Sequence, residues 1–457
     1  MNLTQTEIRA NLEEMTKRNR ALTEALTDRV SLTDYAHLVR EGNIWTDALQ
    51  AALNEHEIIV IPASSDPYMI DNTVTIPSGR RIEAEGATVR LCEGVRVLML
   101  RNEHTQNGTH APIPKENRDG NITILGGRWE ESNPGRAGYG RTGMYDLDRS
   151  FFGVSTCMLF NNMDGLTLKN LTFSHTAGFA VQMGDITDVH CENIRFDECF
   201  ADGLHINGNT KNVITRNLYG EVGDDLVALN MYDWQNSSVN FGPTDMVLCE
   251  NMHTAPGDGY KAMRIEPGLY FYDDGSSVDC ALTNAIISDV SGVNVFKMYY
   301  QTPGYIVGTD PERGGLGSLD NLFFEHIDID LDAPGDAMKP YLEGDPVTGA
   351  FSPFEINANV GKISLEDINL TLYDRFPTSC LMTVGPKSVR SGDREVFDPY
   401  LGGTVECVSL KNIRINGTCP DDISPYIREI VFDHLYDDGP STARGTIRRI
   451  EYEKGAE

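Results

Sequence analysis

The sequence predicts an all-β protein built as a right-handed parallel β-helix with a helical cap at its N-terminus. Two observations carry this prediction: strand-like phrases recur from residue 120 onward, and an asparagine recurs inside them. The phrases alternate apolar and polar residues, as the strands of a solenoid do. They include LTLKNLTF (166–173), VHCENIRF (189–196), VITRNLYG (213–220), VLCENMHT (247–254), ALTNAIIS (281–288), ISLEDINL (363–370) and VSLKNIRI (408–415).

The recurring asparagines give the length of one coil. Their spacing indicates about 20–25 residues per coil, with insertions that lengthen some coils. Because neighbouring coils stack about 4.8 Å apart, equivalent residues form ladders along the axis. We predict that the asparagine ladder is structural, with amides that satisfy one another and the turn backbone. The asparagines assigned to it are Asn170, Asn193, Asn217, Asn251, Asn284 and Asn412.

Two helices are predicted ahead of the strands. Thr4 and Glu7 match a capping box, which starts a packing helix over about 5–28. A second helix is predicted at 45–54, where WTDALQAALN precedes the β-branched string IIVI. The predicted organisation is therefore an N-terminal helical segment over 1–55 and a catalytic β-helix over 56–457.

Charge and composition exclude several classes of function. In 457 residues, Lys and Arg number 38 against 68 Asp and Glu, which gives a net charge of −30. This charge repels nucleic-acid phosphates and anionic membrane surfaces, so we expect neither as a partner. The polar N-terminus lacks the apolar core of a signal peptide, so we expect a cytoplasmic protein.

The nine cysteines are predicted to be small buried side chains. They are odd in number and widely spread, without CxxC or the Cys/His spacing of a zinc site. Cys191 and Cys249 each lie two residues before a ladder asparagine, which favours interior stacking over catalysis. The sequence therefore predicts no metal and no cofactor.

Three aspartates carry the functional prediction. One coil contains ADGLHIN (201–207) and the next contains GDDLVALN (223–230), so stacking places Asp202 beside Asp224, with Asp225 adjacent. Neighbouring like charges raise one another's pKa and destabilise a fold, so a structural protein has little reason to gather them. Ordinary turn formation by Asp and Gly is the alternative.

Such a cluster suits glycoside hydrolysis. There, one carboxylic acid protonates the leaving oxygen while an ionised partner activates water or attacks carbon. Side chains on adjacent coils can reach the ~6.5–9.5 Å separation that leaves room for a water. We therefore predict an inverting glycoside hydrolase that acts on oligosaccharides.

The stretch from Ser174 to Asn230 also resembles the catalytic coils of glycoside hydrolase family 28, the polygalacturonase-like enzymes of the pectin-lyase-like fold. Those enzymes carry Asn-Thr-Asp-Gly and, about one coil later, Gly/Gln-Asp-Asp, as ADG and GDD do here. The resemblance implies that Asp224 is the general acid and that Asp202 and Asp225 hold and deprotonate the water. It extends more weakly over most of residues 45–300.

The sequence departs from that family in three places. Phe200 and Ala201 stand where the family has Asn-Thr, and its Gly-His-Gly is not found. Its Arg-Ile-Lys clamp is missing as written, with Arg264 and Lys297 as the nearest candidates. These changes leave the hydrolytic set in place and weaken the case for galacturonate.

Other polar and aromatic residues are candidates for contact with a sugar. An aromatic ring can stack on the sugar, and a cation can pair with a uronate carboxylate. Core packing and salt bridges are the structural alternatives for these residues. The candidate substrate-binding residues are His175, His205, Asn230, Tyr232, Trp234, Lys261, Arg264 and Lys297.

Two other functions stay open. A polysaccharide lyase or epimerase on the same fold would use a basic residue and often Ca²⁺, which Asp202, Asp224 and Asp225 could bind. A non-catalytic carbohydrate-binding β-helix would need no acid. No functional residue is predicted beyond residue 300, and exposed faces of a β-helix could support a homo-oligomer.

Overall fold

Parallel strands that recur once per coil build this protein, a right-handed parallel β-helix. The computed structural model divides into two units: the first unit comprises residues 9–227 and 236–240, and the second unit comprises residues 1–8, 228–235 and 241–457. The described residues are 2–95, 97–105, 117–131, 156–233, 238–255, 261–272, 274–299, 315–331, 352–372, 380–386, 388–391, 394–397, 402–436 and 439–455.

Most of the helical structure lies near the N-terminus, as predicted. The predicted capping box is present, because the main-chain N of Thr4 donates to Glu7 Oε2 over 2.8 Å and the N of Glu7 donates to Thr4 Oγ1 over 3.2 Å. None of the helices among the described residues has the length and apolar character needed to cross a membrane. The helices are α1 (Gln5–Glu24), a 3-10 helix (Leu32–Leu38), α2 (Thr46–Glu55) and a 3-10 helix (Ser424–Tyr426).

Strand pairing begins earlier in the chain than predicted. Strand β1 precedes α2 and pairs in parallel with β2, so the segment 1–55 is not wholly helical. The strands up to the carboxylate cluster are β1 (Arg29–Ser31), β2 (Ile58–Val60), β3 (Tyr68–Ile70), β4 (Val74–Ile76), β5 (Arg80–Glu83), β6 (Thr88–Leu91), β7 (Leu100–Asn102), β8 (Asp119–Leu125), β9 (Arg128–Glu130), β10 (Thr156–Lys169), β11 (Thr172–Ser174), β12 (Phe179–Cys199), β13 (Leu204–Asn207), β14 (Lys211–Val222) and β15 (Asp225–Asn230).

The second unit continues the parallel pattern and adds three antiparallel hairpins, β18–β19, β26–β27 and β30–β31. Its strands are β16 (Thr244–Thr254), β17 (Ala262–Glu266), β18 (Gly268–Phe271), β19 (Ser277–Cys280), β20 (Leu282–Ser291), β21 (Val295–Tyr299), β22 (Ser318–Asp330), β23 (Phe354–Asn357), β24 (Asn359–Thr371), β25 (Met382–Val384), β26 (Ser388–Ser391), β27 (Arg394–Phe397), β28 (Thr404–Ile415), β29 (Ile427–Glu429), β30 (Val431–Tyr436), β31 (Gly439–Arg444), β32 (Thr446–Ile447) and β33 (Ile450–Glu453).

The predicted asparagine ladder is present in the first unit. Asn193 Nδ2 donates to Asn170 Oδ1 over 2.9 Å, and Asn217 Nδ2 donates to Asn193 Oδ1 over 2.8 Å. These residues have φ values of 59°, 55° and 57°, in the left-handed region that asparagine tolerates better than most residues. The ladder therefore closes each coil with a left-handed turn and a chain of amides.

In the second unit the assignment was wrong for Asn284. The register pairs Cys249 with Ile287, so the residue equivalent to Asn251 is Asp289. Asn284 belongs to the other turn of its coil, where Asn321 Nδ2 donates to its Oδ1 over 2.7 Å. Asn284 has a φ of 55° and Asp289 one of 54°, so both turns need a left-handed residue and asparagine suits either.

Apolar ladders fill the interior of both units. In the first unit the rings of Phe173 and Phe196 stack with centroids 6.1 Å apart. Cys191 and Cys249 are fully buried, as predicted, whereas Cys92 and Cys419 are only half-buried, so the prediction that all nine cysteines are buried was wrong for these two. Burial raises the pKa of Cys199 to about 12, so this thiol is not a reactive nucleophile.

Candidate active site

The three predicted aspartates meet in the first unit. Asp202 lies just ahead of β13, Asp224 lies in the turn after β14, and Asp225 begins β15. One carboxylate oxygen from each residue lies within 4.8 Å of the others. The predicted grouping of these side chains is therefore confirmed.

Backbone hydrogen bonds between adjacent coils fix this cluster. The main-chain N of Asp225 donates to Asp202 Oδ1 over 3.1 Å, and the N of Gly203 donates to the carbonyl of Asp225 over 3.0 Å. A Cβ at position 203 would lie 2.6 Å from the carbonyl oxygen of Leu226, so this close approach requires glycine. The predicted register was therefore wrong by one residue, since Asp225 and not Asp224 is in register with Asp202.

The three carboxylates differ in their access to solvent. Asp202 is 3% exposed and Asp225 is 1% exposed, whereas Asp224 is half-buried. Asp224 is therefore the member of the cluster best placed to take up a proton from solvent. Asp202 and Asp225 are more deeply buried than Asp224.

The imidazole ring of His205 contacts the carboxylate of Asp202. Its Nδ1 lies 2.6 Å from Asp202 Oδ2, and its ring stacks on Phe179 at 4.0 Å between centroids with an interplanar angle of 12°. Both oxygens of Asp202 therefore have partners, one in His205 and one in the amide of Asp225. His205 is buried, so its position favours the tuning of Asp202 over direct contact with a sugar.

Sequence reasoning missed the polar residues that lie behind His205. Asn207 Oδ1 accepts hydrogen bonds from Gln182 Nε2 over 2.8 Å and from the main-chain N of Val239 over 3.2 Å. Asn207 Nδ2 lies 3.4 Å from His205 Nε2. The phrase ADGLHIN places Asn207 two residues after His205, on the same face of a strand, which was the available signal.

His175 lies in a turn of the first unit. Its φ is 51°, its Nδ1 lies 2.6 Å from Ser174 Oγ, and its Nε2 lies 3.2 Å from Glu198 Oε2. These contacts are with turn neighbours and not with the three aspartates. They favour a structural role.

The aromatic candidates belong to the second unit. Tyr232 packs against Phe241 with ring centroids 5.5 Å apart, and its main-chain N donates to the carbonyl of Glu266 over 2.9 Å. Burial raises the pKa of Tyr232, and Asn230 at the end of β15 is also buried. The burial of Tyr232 and Asn230 favours a packing role over contact with a sugar. Trp234 lies outside the described residues.

The cationic candidates also belong to the second unit. Arg264 of β17 is in register with Lys297 of β21, which in turn is in register with Glu355 of β23. Lys297 is buried, so a carboxylate neighbour suits its charge. The carbonyl of Lys261 accepts from the N of Asn294 over 2.7 Å. Substrate contact by these cations stays a prediction.

A second acidic cluster in the first unit has a structural explanation. One ligand-type atom from each of Glu103, His104 and Asp119 lies within 4.8 Å of the others. Asp119 accepts from Ser78 Oγ over 2.9 Å, Asn102 Nδ2 over 2.8 Å and the main-chain N of His104 over 2.7 Å. Burial opposes ionisation, but the bonds from His104 and its neighbours hold the pKa of Asp119 below its usual value.

The spacing of the catalytic candidates is shorter than we expected. Their nearest oxygens lie within 4.8 Å, whereas the pair in inverting glycosidases commonly stands ~6.5–9.5 Å apart and the pair in retaining enzymes ~5–5.5 Å. The separation therefore gives inversion no geometric support. Inversion stays a prediction that depends on the family resemblance.

Comparisons with known proteins bear on the fold. No family profile and no curated protein matches this chain. A solved structure of a double-mutant tailspike protein of E. coli bacteriophage HK620 in complex with a pentasaccharide matches with a TM-score of 0.50 and 11% identity, over 86% of this chain and 64% of that one.

Two solved glycosidase structures show weaker similarity. A Yersinia enterocolitica family 28 exopolygalacturonase matches with a TM-score of 0.43 and 12% identity, over 94% of this chain and 79% of that one. The catalytic domain of a GH87 alpha-1,3-glucanase in complex with tetrasaccharides matches with a TM-score of 0.41 and 14% identity, over 88% of this chain and 68% of that one. At these identities the tailspike match identifies the fold, a parallel β-helix, and the glycosidase matches add no argument about activity.

Proposed function

We propose that this protein is a glycoside hydrolase that cleaves oligosaccharides by carboxylate acid/base catalysis with inversion. The observation that supports the proposal is the packing of Asp202, Asp224 and Asp225 within 4.8 Å of one another on adjacent coils. A cluster of like charges costs stability, so a function that uses the charges is the simplest reason to keep them.

Asp224 is the general acid in this proposal. It is the half-buried member of the cluster, so it can meet both the glycosidic oxygen and solvent. Its proton passes to the leaving oxygen as the bond between that oxygen and the anomeric carbon breaks. Solvent then returns a proton to Asp224.

Asp202 and Asp225 activate the water. The water oxygen forms the new bond to the anomeric carbon and gives its proton to one of these carboxylates, which then releases that proton to solvent. Asp202 is held by His205 and by the amide of Asp225, so it suits the orientation of a water better than attack on carbon. These contacts support water as the nucleophile, whereas inversion itself rests on the family resemblance.

Phe200 is the proposed platform for the sugar. This residue is 42% exposed, and it precedes Asp202 by two positions. The backbone of Phe200 packs closely against the next coil, because a Cβ at Gly223 would lie 2.0 Å from the carbonyl oxygen of Phe200. An exposed aromatic face suits stacking on a sugar ring.

The cytoplasmic location and the homo-oligomer stay predictions.

A panel of pectic and neutral oligosaccharides tests the proposal. We expect cleavage of at least one substrate, with the inverted anomer appearing first in the NMR spectrum. If the retained anomer appeared first, the proposed inversion would be wrong, but the proposed hydrolase activity would still stand. An unsaturated, ultraviolet-absorbing product that EDTA abolishes would instead support a lyase. Binding without any product would support a carbohydrate-binding protein.

A further inference from the structure

A buried polar chain leads away from the carboxylate cluster of the first unit. It runs from Asp202 through His205 and Asn207 to Gln182, and these residues are 3%, 2%, 0% and 0% exposed. Buried polar groups require defined partners, so each donor and acceptor can be assigned from a fixed end of the chain. The main-chain amide of Val239 is that fixed end, because it can only donate.

The amide of Val239 fixes the orientation of Asn207. The Asn207 atom that lies 3.2 Å from this N–H must be the side-chain oxygen, which also accepts from Gln182 Nε2 over 2.8 Å. The NH₂ group of Asn207 therefore points the other way, 3.4 Å from His205 Nε2. Because an NH₂ group donates, Nε2 of His205 is an acceptor and carries no hydrogen.

The hydrogen of His205 therefore lies on its other ring nitrogen. Nδ1 is 2.6 Å from Asp202 Oδ2, so this N–H donates to the carboxylate. Phe179 stacks on the ring at 4.0 Å and limits its rotation. Each partner in the chain thus favours one tautomer and one ring orientation.

We propose that Asn207 is a positioning residue that holds His205 as the neutral Nδ1–H tautomer and so fixes the Asp202 carboxylate. A neutral imidazole leaves Asp202 with its full negative charge, whereas an imidazolium would compensate that charge and weaken the carboxylate as a base. The effect of this tautomer on catalysis rests on the proposed hydrolase function. The assignment of the tautomer itself does not depend on that function.

The tautomer can be measured directly at neutral pH. The full-length protein is labelled with ¹⁵N-histidine, and the His205 signals are assigned by their loss in His205→Gln. We expect a protonated Nδ1 and an unprotonated Nε2 in the long-range ¹H–¹⁵N correlation spectrum. A protonated Nε2, in either the other tautomer or an imidazolium, overturns the proposal. This measurement needs no variant at Asn207 to fold.

Asn207→Asp tests the role of Asn207. The new carboxylate would accept a hydrogen from Nε2, so the His205 spectrum should change to that of a doubly protonated ring. With an identified substrate, kcat should fall about 10-fold or more while KM changes less than about 3-fold, because the loss acts through Asp202. Asn161→Asp is the matched control, since Asn161 is also fully buried in this unit, and it should leave kcat unchanged.

The outcomes separate the two proposals. A His205 spectrum that is unchanged in Asn207→Asp overturns the role of Asn207, whether or not the protein is a hydrolase. The expected spectra together with no hydrolysis of any substrate support the positioning role and contradict the proposed function. An equal loss of kcat in Asn161→Asp would show a general structural effect and overturn the catalytic consequence.

Discussion

The main-chain amide of Asp225 donates to Oδ1 of Asp202 over 3.1 Å, across one coil of the β-helix. This bond ties the carboxylate of Asp202 to the main chain of the next coil, and so holds it beside Asp225 although the two residues are 23 positions apart in the sequence. Its register also leaves Asp224 one residue earlier, at the half-buried edge of the cluster.

Phe200→Ala should weaken substrate binding. The loss of an aromatic face that stacks on a sugar costs about 0.5–1.5 kcal/mol, or about 2- to 13-fold in KM, with little change in kcat. Tyr219→Ala is the matched control, because Tyr219 is equally exposed at 42% but lies under the guanidinium of Arg195. Steady-state kinetics on an identified oligosaccharide measure both. An equal KM for Phe200→Ala and the unsubstituted protein would contradict the platform.

At position 193, the glycine variant should be more stable than the alanine variant. Its φ is 55°, in the left-handed region, which costs alanine about 1–2 kcal/mol because its Cβ crowds the backbone without the local hydrogen bonds of an asparagine side chain, whereas glycine adopts this conformation freely. We therefore expect the alanine variant to have the lower free energy of unfolding in urea. At Lys211, an exposed residue of β14, glycine should be the less stable variant. The same order at both positions would contradict the role of the turn.

His190 should make stability depend on pH. Burial, assisted by Lys169 and opposed by Glu192, lowers the pKa of His190 from 6.5 to about 4. Between these values the unfolded chain binds more protons than the folded chain, so the contribution is complete above pH 6.5 and lost as pH falls toward 4. The expected slope reaches about 1.4 kcal/mol per pH unit.

Urea unfolding of His190→Gln between pH 4 and pH 7 checks this dependence. The variant should lose less stability than the unsubstituted protein as the pH falls. Exposed His37→Gln is the control and should follow the unsubstituted protein. Parallel curves for all three proteins would contradict the assignment of the effect to His190.

Asp119→Asn should destabilise the first unit. The new NH₂ group would face donors from Ser78, Asn102 and His104, so the free energy of unfolding should fall by about 3 kcal/mol or more. Because the pKa of Asp119 lies below its ordinary 3.8, this stabilisation is complete above pH 3.8 and lost below it. Asp164→Asn, at a 53% exposed side chain, should cost less than about 1 kcal/mol. Equal losses in the two variants would argue against the buried network.

The sequence predicted what depends on the period of the coils. A repeat places equivalent residues on neighbouring coils, so the asparagine ladder of the first unit and the grouping of Asp202, Asp224 and Asp225 could both be predicted. The position of Asn284 could not be predicted, because both turns of a coil use left-handed residues. Period alone does not distinguish the two turns.

The polar chain behind the site depends on packing that no period encodes. Asn207 receives one bond from Gln182 of the preceding coil and one from Val239, which follows much later in the chain. His205 was predicted as a candidate, but its burial against Phe179 was not predicted. The alternation of residues along a strand shows which face a side chain lies on, but not how deeply it is buried. The same limit applies to Tyr232, which packs where a sugar contact was predicted.

The most direct test of the central claim is the kinetics of Asp224→Asn on two classes of substrate. If Asp224 protonates the leaving oxygen, kcat/KM should fall by about 10²- to 10⁴-fold on an unactivated oligosaccharide. The loss should be much smaller on an aryl glycoside whose leaving group needs no proton. Equal rates for Asp224→Asn and the unsubstituted protein on the oligosaccharide would contradict the assignment of this cluster as the hydrolytic site.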